Sequence, residues 1–155
     1  MIRKATVSII AVSVGDLIGA APSAAPQSPI SQKASRTRVG IAVWSDRGFA
    51  PLAGKRIGLI SNLTGRNSRG ELTAYALQAE PSVDLVAIFS PEHGFSGIEE
   101  GSVESTSDSA SGLPVHSLYG DTRRPTSQML DGLDALVFDI QDIGTRFYTY
   151  ATTMA

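Results

Sequence analysis

Side chains able to do chemistry gather in three short stretches, each placed directly after a run of apolar residues. The stretches are residues 61–65, 90–94 and 139–146. They hold amides, carboxyl groups, a histidine and an arginine, which serve acid–base chemistry, metal binding or the recognition of polar ligands. A single Asn or Asp in such a place is usually turn chemistry. Three such stretches in one chain favour a functional site.

Cofactor chemistry receives little support from the same residues. Glu92, His93, Asp139 and Asp142 offer metal-ligating atoms, yet the chain has only two histidines, and adjacent Glu92 and His93 are poorly placed to chelate one ion from a strand or turn. The glycines after the first apolar run do not form a G-x-G-x-x-G fingerprint, and no Walker-type lysine follows them. The sequence therefore predicts no metal and no other cofactor.

Three continuous apolar runs position these stretches, at residues 56–61, 84–89 and 134–140. Apolar residues without alternation are typical of parallel strands, because helices cover both faces of such a sheet. Residues 113–118 predict a weaker fourth strand, with Pro114 at its first residue or at a sheet edge. The carboxyl ends of parallel strands share one edge, where ligands bind in open α/β sheets.

Helical patterns separate the strands and complete the fold class. Residues 70–78 have apolar residues at helical spacing, and residues 126–130 follow a proline as a short helix does. Residues 39–44 fit either a helix or a strand, and residues 147–155 read as a helix that has only begun. We predict an α/β fold, a Rossmann-like parallel sheet with flanking helices, incomplete at its carboxyl end.

The first 25 residues have the order of an export signal: two basic residues, about ten mostly apolar residues, then small residues. We predict a signal peptide over residues 1–25, a flexible Pro/Ser/Ala-rich linker over residues 26–37 and the incomplete Rossmann-like α/β domain over residues 38–155. An interfacial helix or a disordered terminus is the alternative for the first segment. The apolar run is too short for a stable membrane span, so the expected location is periplasmic or extracellular.

Composition excludes several classes of protein. Charged residues make up 18% and apolar residues 42% of the chain, which is typical of globular proteins. The net charge of −2 comes without a basic stripe, so no nucleic-acid partner is predicted. Cysteine is absent, which excludes disulfides, thiolate nucleophiles and zinc–thiolate sites.

Beyond these patterns, several motifs resemble the signatures of the exo-β-N-acetylmuramidase family, long catalogued as a domain of unknown function. They are SNLTG at residues 61–65, SPEHG at 90–94, LPVHSLYG at 113–120 and FDIQDIGTRFYTY at 138–150. The resemblance runs from about residue 39 to the last residue, and residues 141–150 are its most specific part.

The resemblance implies a Rossmann-like catalytic domain, followed in the family by a carboxyl-terminal domain. It also implies release of N-acetylmuramic acid from the non-reducing ends of peptidoglycan fragments, so muramic acid saccharides are the expected partners. This chain departs from the family by ending early and by carrying His116 where an aromatic residue is expected. We therefore expect an amino-terminal fragment that is inactive by itself.

Within this family the matching glutamate makes Glu92 the candidate acid, since glycosidic cleavage requires a carboxylic acid that protonates the leaving oxygen. Asp139 and Asp142 are candidates for the second catalytic carboxyl or for contacts to sugar hydroxyls. For Asp139, a structural role bonded to neighbouring amides is equally compatible with the sequence. His93 either orients Glu92, contacts the substrate or is structural.

The candidate substrate-binding side chains are polar or aromatic and lie near the strand ends: Asn62, His93, Tyr119, Arg123, Arg124, Gln141, Arg146 and Tyr148. An arginine suits the lactyl carboxylate of muramic acid, and Arg146 is favoured because it lies inside the most specific motif. The tyrosines at 119, 148 and 150 suit stacking on a sugar face or ordinary packing.

Two other functions stay open from the sequence. One is a carbohydrate-binding fragment without turnover, and the other is a metal-dependent phosphoesterase on a similar sheet. The residues are compatible with retaining, inverting or acetamido-assisted hydrolysis, because the separation of the carboxyl groups decides between them.

Overall fold

The computed structural model describes residues 8–11, 37–92, 94–96, 106–145 and 148–154. Within these residues the chain forms six strands and three α-helices. The strands are β1 (Ser8–Ala11), β2 (Arg56–Ser61), β3 (Asp84–Ser90), β4 (Thr106–Ser107), β5 (Pro114–Ser117) and β6 (Ala135–Asp139). The helices are α1 (Gly40–Asp46), α2 (Thr73–Gln78) and α3 (Tyr150–Met154).

The strands form one sheet in the order β1-β6-β2-β3-β5-β4. All neighbouring strands pair in parallel except β4, which runs antiparallel to β5 at one edge. From β2 the chain proceeds outward to β3 and β5, then returns to the other side of β2 as β6. This reversal of direction makes a topological switch point between β2 and β6, where open α/β sheets open a crevice for ligands. The predicted α/β fold is confirmed, as is the parallel pairing of the three apolar runs.

Two apolar clusters cover the two faces of the sheet. Ile57 and Leu59 of β2 pack with residues of α1 and α2, while Ile60 packs on the other face with Phe89. Gly58 also lies on that second face, where an added Cβ would come within 2.6 Å of the Phe89 ring. A glycine at this place lets the aromatic ring lie directly against the central strand, which explains the one break in the apolar run of β2.

Four details test or refine the expectations. Residues 126–130 are not a helix: they form turns, with the Leu130 amide donating to the Thr126 carbonyl at 3.1 Å. The ambiguous residues 39–44 belong mainly to α1, and Pro114 is the first residue of β5 as predicted. Helix α2, which follows β2, is shorter than the predicted residues 70–78. The reason is that residues 66–71 form a polar turn, closed by an isolated bridge between Arg66 and Leu72.

The amino-terminal segment contributes an edge strand. Ser8–Ala11 lies within the predicted signal peptide and pairs in parallel with β6, although the sequence indicated neither strand nor sheet there. The remaining residues of the predicted signal and nearly all of the linker fall outside the described residues. No helix in the described ranges is both long and apolar enough to cross a membrane.

Candidate active site at the carboxyl edge of the sheet

The polar stretches after β2, β3 and β6 meet at one edge of the sheet. Ser61 pairs with Asp139 in the register of β2 and β6, and Ile60 pairs with Phe89 one residue before the end of β3. Because all three strands are parallel and in step, Asn62, Glu92 and Gln141 follow them at the same edge. This is the placement that the sequence predicted for a shared site.

A tight turn after β2 joins the first and third stretches. The Ser61 hydroxyl donates to the Asp139 carbonyl at 2.8 Å, and the Thr73 amide donates to the Gly65 carbonyl at 2.9 Å. A Cβ at residue 65 would lie 2.5 Å from the same Asp139 carbonyl oxygen. Only glycine lets the turn pass this close to β6, so SNLTG is a packing requirement as well as a source of polar groups.

Asn62 is buried at the centre of the site and has a fixed orientation. Its Oδ1 accepts from the Thr64 amide at 2.9 Å and from the Thr64 hydroxyl at 2.6 Å, so its Nδ2 must point the other way. That nitrogen donates to the Tyr150 hydroxyl at 3.3 Å. Thr64 Oγ1 also accepts from the Gln141 amide at 3.0 Å. One polar chain thus connects β2, the segment after β6 and α3.

Glu92 is half-buried and is bound by the segment that precedes α3. Its Oε1 accepts from the Thr149 amide at 3.0 Å and also from the Thr149 hydroxyl. Within the described part of the chain no hydrogen bond reaches Oε2. The carboxyl group is therefore held through one oxygen while the other keeps its hydrogen-bonding capacity for a ligand.

Two tyrosines flank the Thr149 contact. The rings of Tyr148 and Tyr150 stack with centroids 5.2 Å apart and planes 6° apart. Tyr148 is 38% exposed, whereas Tyr150 is buried. Burial raises the pKa of Tyr150, the negative charge of Glu92 raises it further, and the hydrogen bond from Asn62 opposes the rise. The site thus contains a neutral phenol next to a carboxyl group, with one aromatic face open to solvent.

Asp139 points to a different group of residues. Its Oδ2 accepts from the Thr73 hydroxyl at 2.5 Å, at the start of α2. Burial raises the pKa of Asp139, and the Thr73 bond lowers it by less. No hydrogen bond joins Asp139 to Glu92 in the described ranges. A carboxyl group held beneath the turn in this way fits the structural role that the sequence left open for Asp139.

The other candidate residues divide into three sets. Gln141 and Asp142 are exposed at the site edge, and Asp142 Oδ1 accepts from the Gly144 amide at 2.7 Å. Tyr119, Arg123 and Arg124 lie after β5, and no hydrogen bond or ring contact connects their side chains to Asn62 or Glu92 among the described residues. His93 and Arg146 lie outside the described residues, so their predicted roles stay predictions.

Sequence reasoning missed the threonines of the site. Thr64 fixes Asn62, Thr73 binds Asp139 and Thr149 holds Glu92. Thr149 lies inside the most specific motif, between Tyr148 and Tyr150, but it was not among the predicted site residues. Its place inside that motif was the available signal.

His116 shows how a departure from the family pattern is accommodated. Its ring packs against Phe89 with centroids 5.2 Å apart and planes tilted by 34°. The histidine therefore occupies an aromatic packing position. Among the described residues no group of three or more acidic or histidine side chains lies close enough to hold a metal ion.

Comparison with known proteins agrees with the motifs. Residues 57–155 match the family model described as exo-beta-N-acetylmuramidase NamZ, N-terminal. The peptidoglycan beta-N-acetylmuramidase NamZ of Bacillus subtilis (strain 168) is 42% identical over an alignment of 154 residues, covering 96% of this chain and 37% of the relative. The chain thus spans well under half the length of this relative.

Two solved structures share the fold, both of DUF1343 family proteins from Bacteroides fragilis NCTC 9343. The first is 49% identical with a TM-score of 0.69, covering 76% of this chain and 29% of the other. The second is 38% identical with a TM-score of 0.56, covering 74% of this chain and 28% of the other. By sequence and by fold, this chain belongs to the exo-beta-N-acetylmuramidase NamZ family and corresponds to its amino-terminal part.

Proposed function

We propose that this chain supplies the Glu92-bearing part of the active site of a glycoside hydrolase that releases N-acetylmuramic acid from the non-reducing ends of peptidoglycan fragments. The observation that carries the proposal is the Glu92 carboxyl group, held at the carboxyl edge of the sheet through Oε1, while no hydrogen bond from the described residues reaches Oε2. The Bacillus subtilis relative is named as a peptidoglycan muramidase, which supports the same substrate class.

Glu92 is suited to the role of general acid. Glycoside hydrolysis requires a carboxylic acid within reach of the leaving oxygen, and a positioned acid contributes about 10²–10⁴-fold to the rate. Pro91 is buried and fixes the backbone before Glu92, while Thr149 binds the Glu92 carboxyl group itself. The carboxyl group is thus directed by its surroundings on two sides.

For the second carboxyl group we favour Asp142 over Asp139. The Asp139 carboxyl group accepts a hydrogen bond from Thr73, and because its pKa is raised it ionises less readily than an ordinary aspartate. Asp142 is exposed at the same edge, and its charge is close enough to raise the pKa of Tyr150. A solvent-accessible carboxylate near the acid can activate a water or bind a sugar hydroxyl.

We further propose that the 155 residues alone do not hydrolyse substrate. The outer side of the site presents Ile143, which is 62% exposed, together with Tyr148, which is 38% exposed. Apolar side chains at the rim of a site suit burial by a covering surface. The chain covers 37% of the Bacillus subtilis relative, and we propose that the carboxyl-terminal part of that family supplies this surface.

The test compares two proteins: the 155-residue chain, and an extended chain in which these residues are continued by the carboxyl-terminal sequence of the Bacillus subtilis relative. Each is assayed with a chromogenic N-acetylmuramic acid glycoside, with and without a chelator. We expect hydrolysis by the extended chain only, unaffected by the chelator. Glu92→Gln in the extended chain should lower kcat by about 10²-fold or more, because it removes the proton and keeps the shape.

The other possible results of this assay favour a different function or contradict the assignment of Glu92. Binding without turnover by both proteins favours a carbohydrate-binding role, and loss of activity in chelator favours metal-dependent chemistry. Full activity of Glu92→Gln contradicts the assignment of the acid.

The choice of muramic acid over N-acetylglucosamine depends on the lactyl carboxylate, and we propose Arg146 as its partner. A guanidinium binds a carboxylate through two parallel hydrogen bonds, which a neutral side chain cannot reproduce. Arg146→Ala in the extended chain should reduce kcat/KM for the muramic acid glycoside more than for the N-acetylglucosamine glycoside. Arg123→Ala is the matched control, and an equal loss in both variants contradicts the assignment.

We also propose that the protein acts outside the cytoplasm. The basic, apolar and small-residue order of the first 25 residues supports this. Residues 1–37 fused to alkaline phosphatase, which is active only after export, should give active reporter, whereas Arg3→Glu with Lys4→Glu should reduce it. Equal activity of a fusion starting at residue 38 contradicts the proposal.

A further inference from the structure

Thr149 makes an unusual pair of contacts with the candidate acid. Its amide and its hydroxyl both donate to Oε1 of Glu92, the amide at 3.0 Å, and neither donates to Oε2. We infer that Thr149 is the positioning residue of Glu92: it selects Oε2 as the oxygen that carries and donates the proton. This inference rests on the function proposed above, because it gives a part to a residue of the same site.

The selection follows from the chemistry of a carboxylic acid. When the group is protonated, one oxygen is a carbonyl acceptor and the other holds the hydrogen. An oxygen that already accepts two hydrogen bonds is stabilised as the acceptor, since a proton placed there would face two donors. The proton is therefore confined to Oε2, which no hydrogen bond reaches in the described residues.

Thr149 can act in this way because its own backbone is fixed. Its carbonyl accepts from the Thr153 amide at 3.0 Å and from the Thr153 hydroxyl at 3.3 Å. Tyr150, the next residue, is buried and accepts from Asn62. The donors that face Glu92 thus belong to a segment attached to the end of β2, so the carboxyl group is oriented relative to the sheet.

The resulting step is simple to balance. The hydrogen on Oε2 passes to the glycosidic oxygen as the bond from that oxygen to the anomeric carbon breaks and its electron pair stays on the oxygen. The leaving sugar departs as an alcohol, and Glu92 becomes a carboxylate whose charge is stabilised by both donors of Thr149. Water later supplies hydroxide to the anomeric carbon and returns the proton to Glu92.

The contact predicts a dependence on the leaving group that a purely structural threonine does not. Thr149→Val removes the hydroxyl and keeps the shape and the amide, and Thr149→Ser keeps the hydroxyl. Thr152→Val is the matched control, because Thr152 is exposed on the same helix. All variants are made in the extended chain, and kcat is measured with a disaccharide substrate and with a dinitrophenyl glycoside, whose leaving group needs little protonation.

We expect Thr149→Val to lower kcat for the disaccharide by about tenfold or more, the usual effect of losing a hydrogen bond to a charged group. The dinitrophenyl glycoside should be affected much less, KM should change little, and Thr149→Ser and Thr152→Val should retain activity with both substrates. Glu92→Gln should show the same leaving-group pattern with a larger loss.

Two failures are distinguishable. If Glu92→Gln lacks the leaving-group pattern, Glu92 is not the acid and the proposed function fails with it. If Glu92→Gln shows the pattern but Thr149→Val slows both substrates equally or neither, Glu92 stands as the acid and the positioning role of Thr149 is overturned.

Discussion

Replacing Tyr150 by phenylalanine tests whether the buried hydrogen bond from Asn62 holds the site together. The substitution removes only the hydroxyl that accepts from Asn62 Nδ2 at 3.3 Å. Asn62 is 4% exposed, so solvent cannot readily replace the lost acceptor. Leaving a buried donor unpaired costs about 1–3 kcal/mol. For a domain of this size each kcal/mol lowers Tm by about 2–4 °C, which gives a fall of about 2–12 °C.

The assay is thermal and urea unfolding of the 155-residue chain, both followed by the fluorescence of Trp44, its single tryptophan, which packs against the core. Tyr148→Phe is the matched control, because the phenylalanine ring can still stack on Tyr150 and the side chain at residue 148 is 38% exposed. We expect the control to change the free energy of unfolding by less than about 0.5 kcal/mol. Equal destabilisation by both variants would refute the reasoning, since it would show that the bond from Asn62 contributes nothing specific.

Two further substitutions test the turn after β2 and the half-buried carboxyl group of Asp139. Because the folded-state pKa of Asp139 is raised above its ordinary value of 3.8, its stabilising contribution is complete below that pH and is lost as pH rises through the folded-state pKa. Asp139→Asn, which keeps an acceptor for Thr73, should therefore gain stability relative to the parent chain as the pH rises above 3.8, and urea midpoints that differ by a constant amount at all pH values contradict this. Gly65→Ala should destabilise by about 1–3 kcal/mol, because its Cβ would lie 2.5 Å from a backbone oxygen. Gly70→Ala is its comparison, since nothing lies within 4 Å there and only the positive φ of 80° opposes a side chain. Similar amide exchange at the Ser61 turn in both variants would count against close packing at residue 65.

The sequence alone was sufficient to predict the parallel strands at the centre of the sheet. Continuous apolar runs at β2, β3 and β6 indicated parallel strands, and parallel strands bring their carboxyl ends to one edge. The placement of Asn62, Glu92 and Gln141 at that edge follows from this rule and from the register. A parallel strand can be recognised from its own residues, because burial on both faces requires apolar residues at nearly every position of the run.

Only the tertiary structure decided which side chains form hydrogen bonds with the carboxyl groups of the site. Thr149 and Glu92 are separated by 57 positions in the sequence, and Thr73 and Asp139 by 66 positions. No local pattern marks such a pair, since a threonine near a helix start reads the same whether it faces solvent or a carboxyl group. The antiparallel β4 was not predicted, and the helix predicted at residues 126–130 was wrong, because tertiary packing decides the conformation of short polar segments. The continuous apolar runs therefore determined where the site lies, and the hydrogen bonds across the sheet edge determined how its carboxyl groups are held.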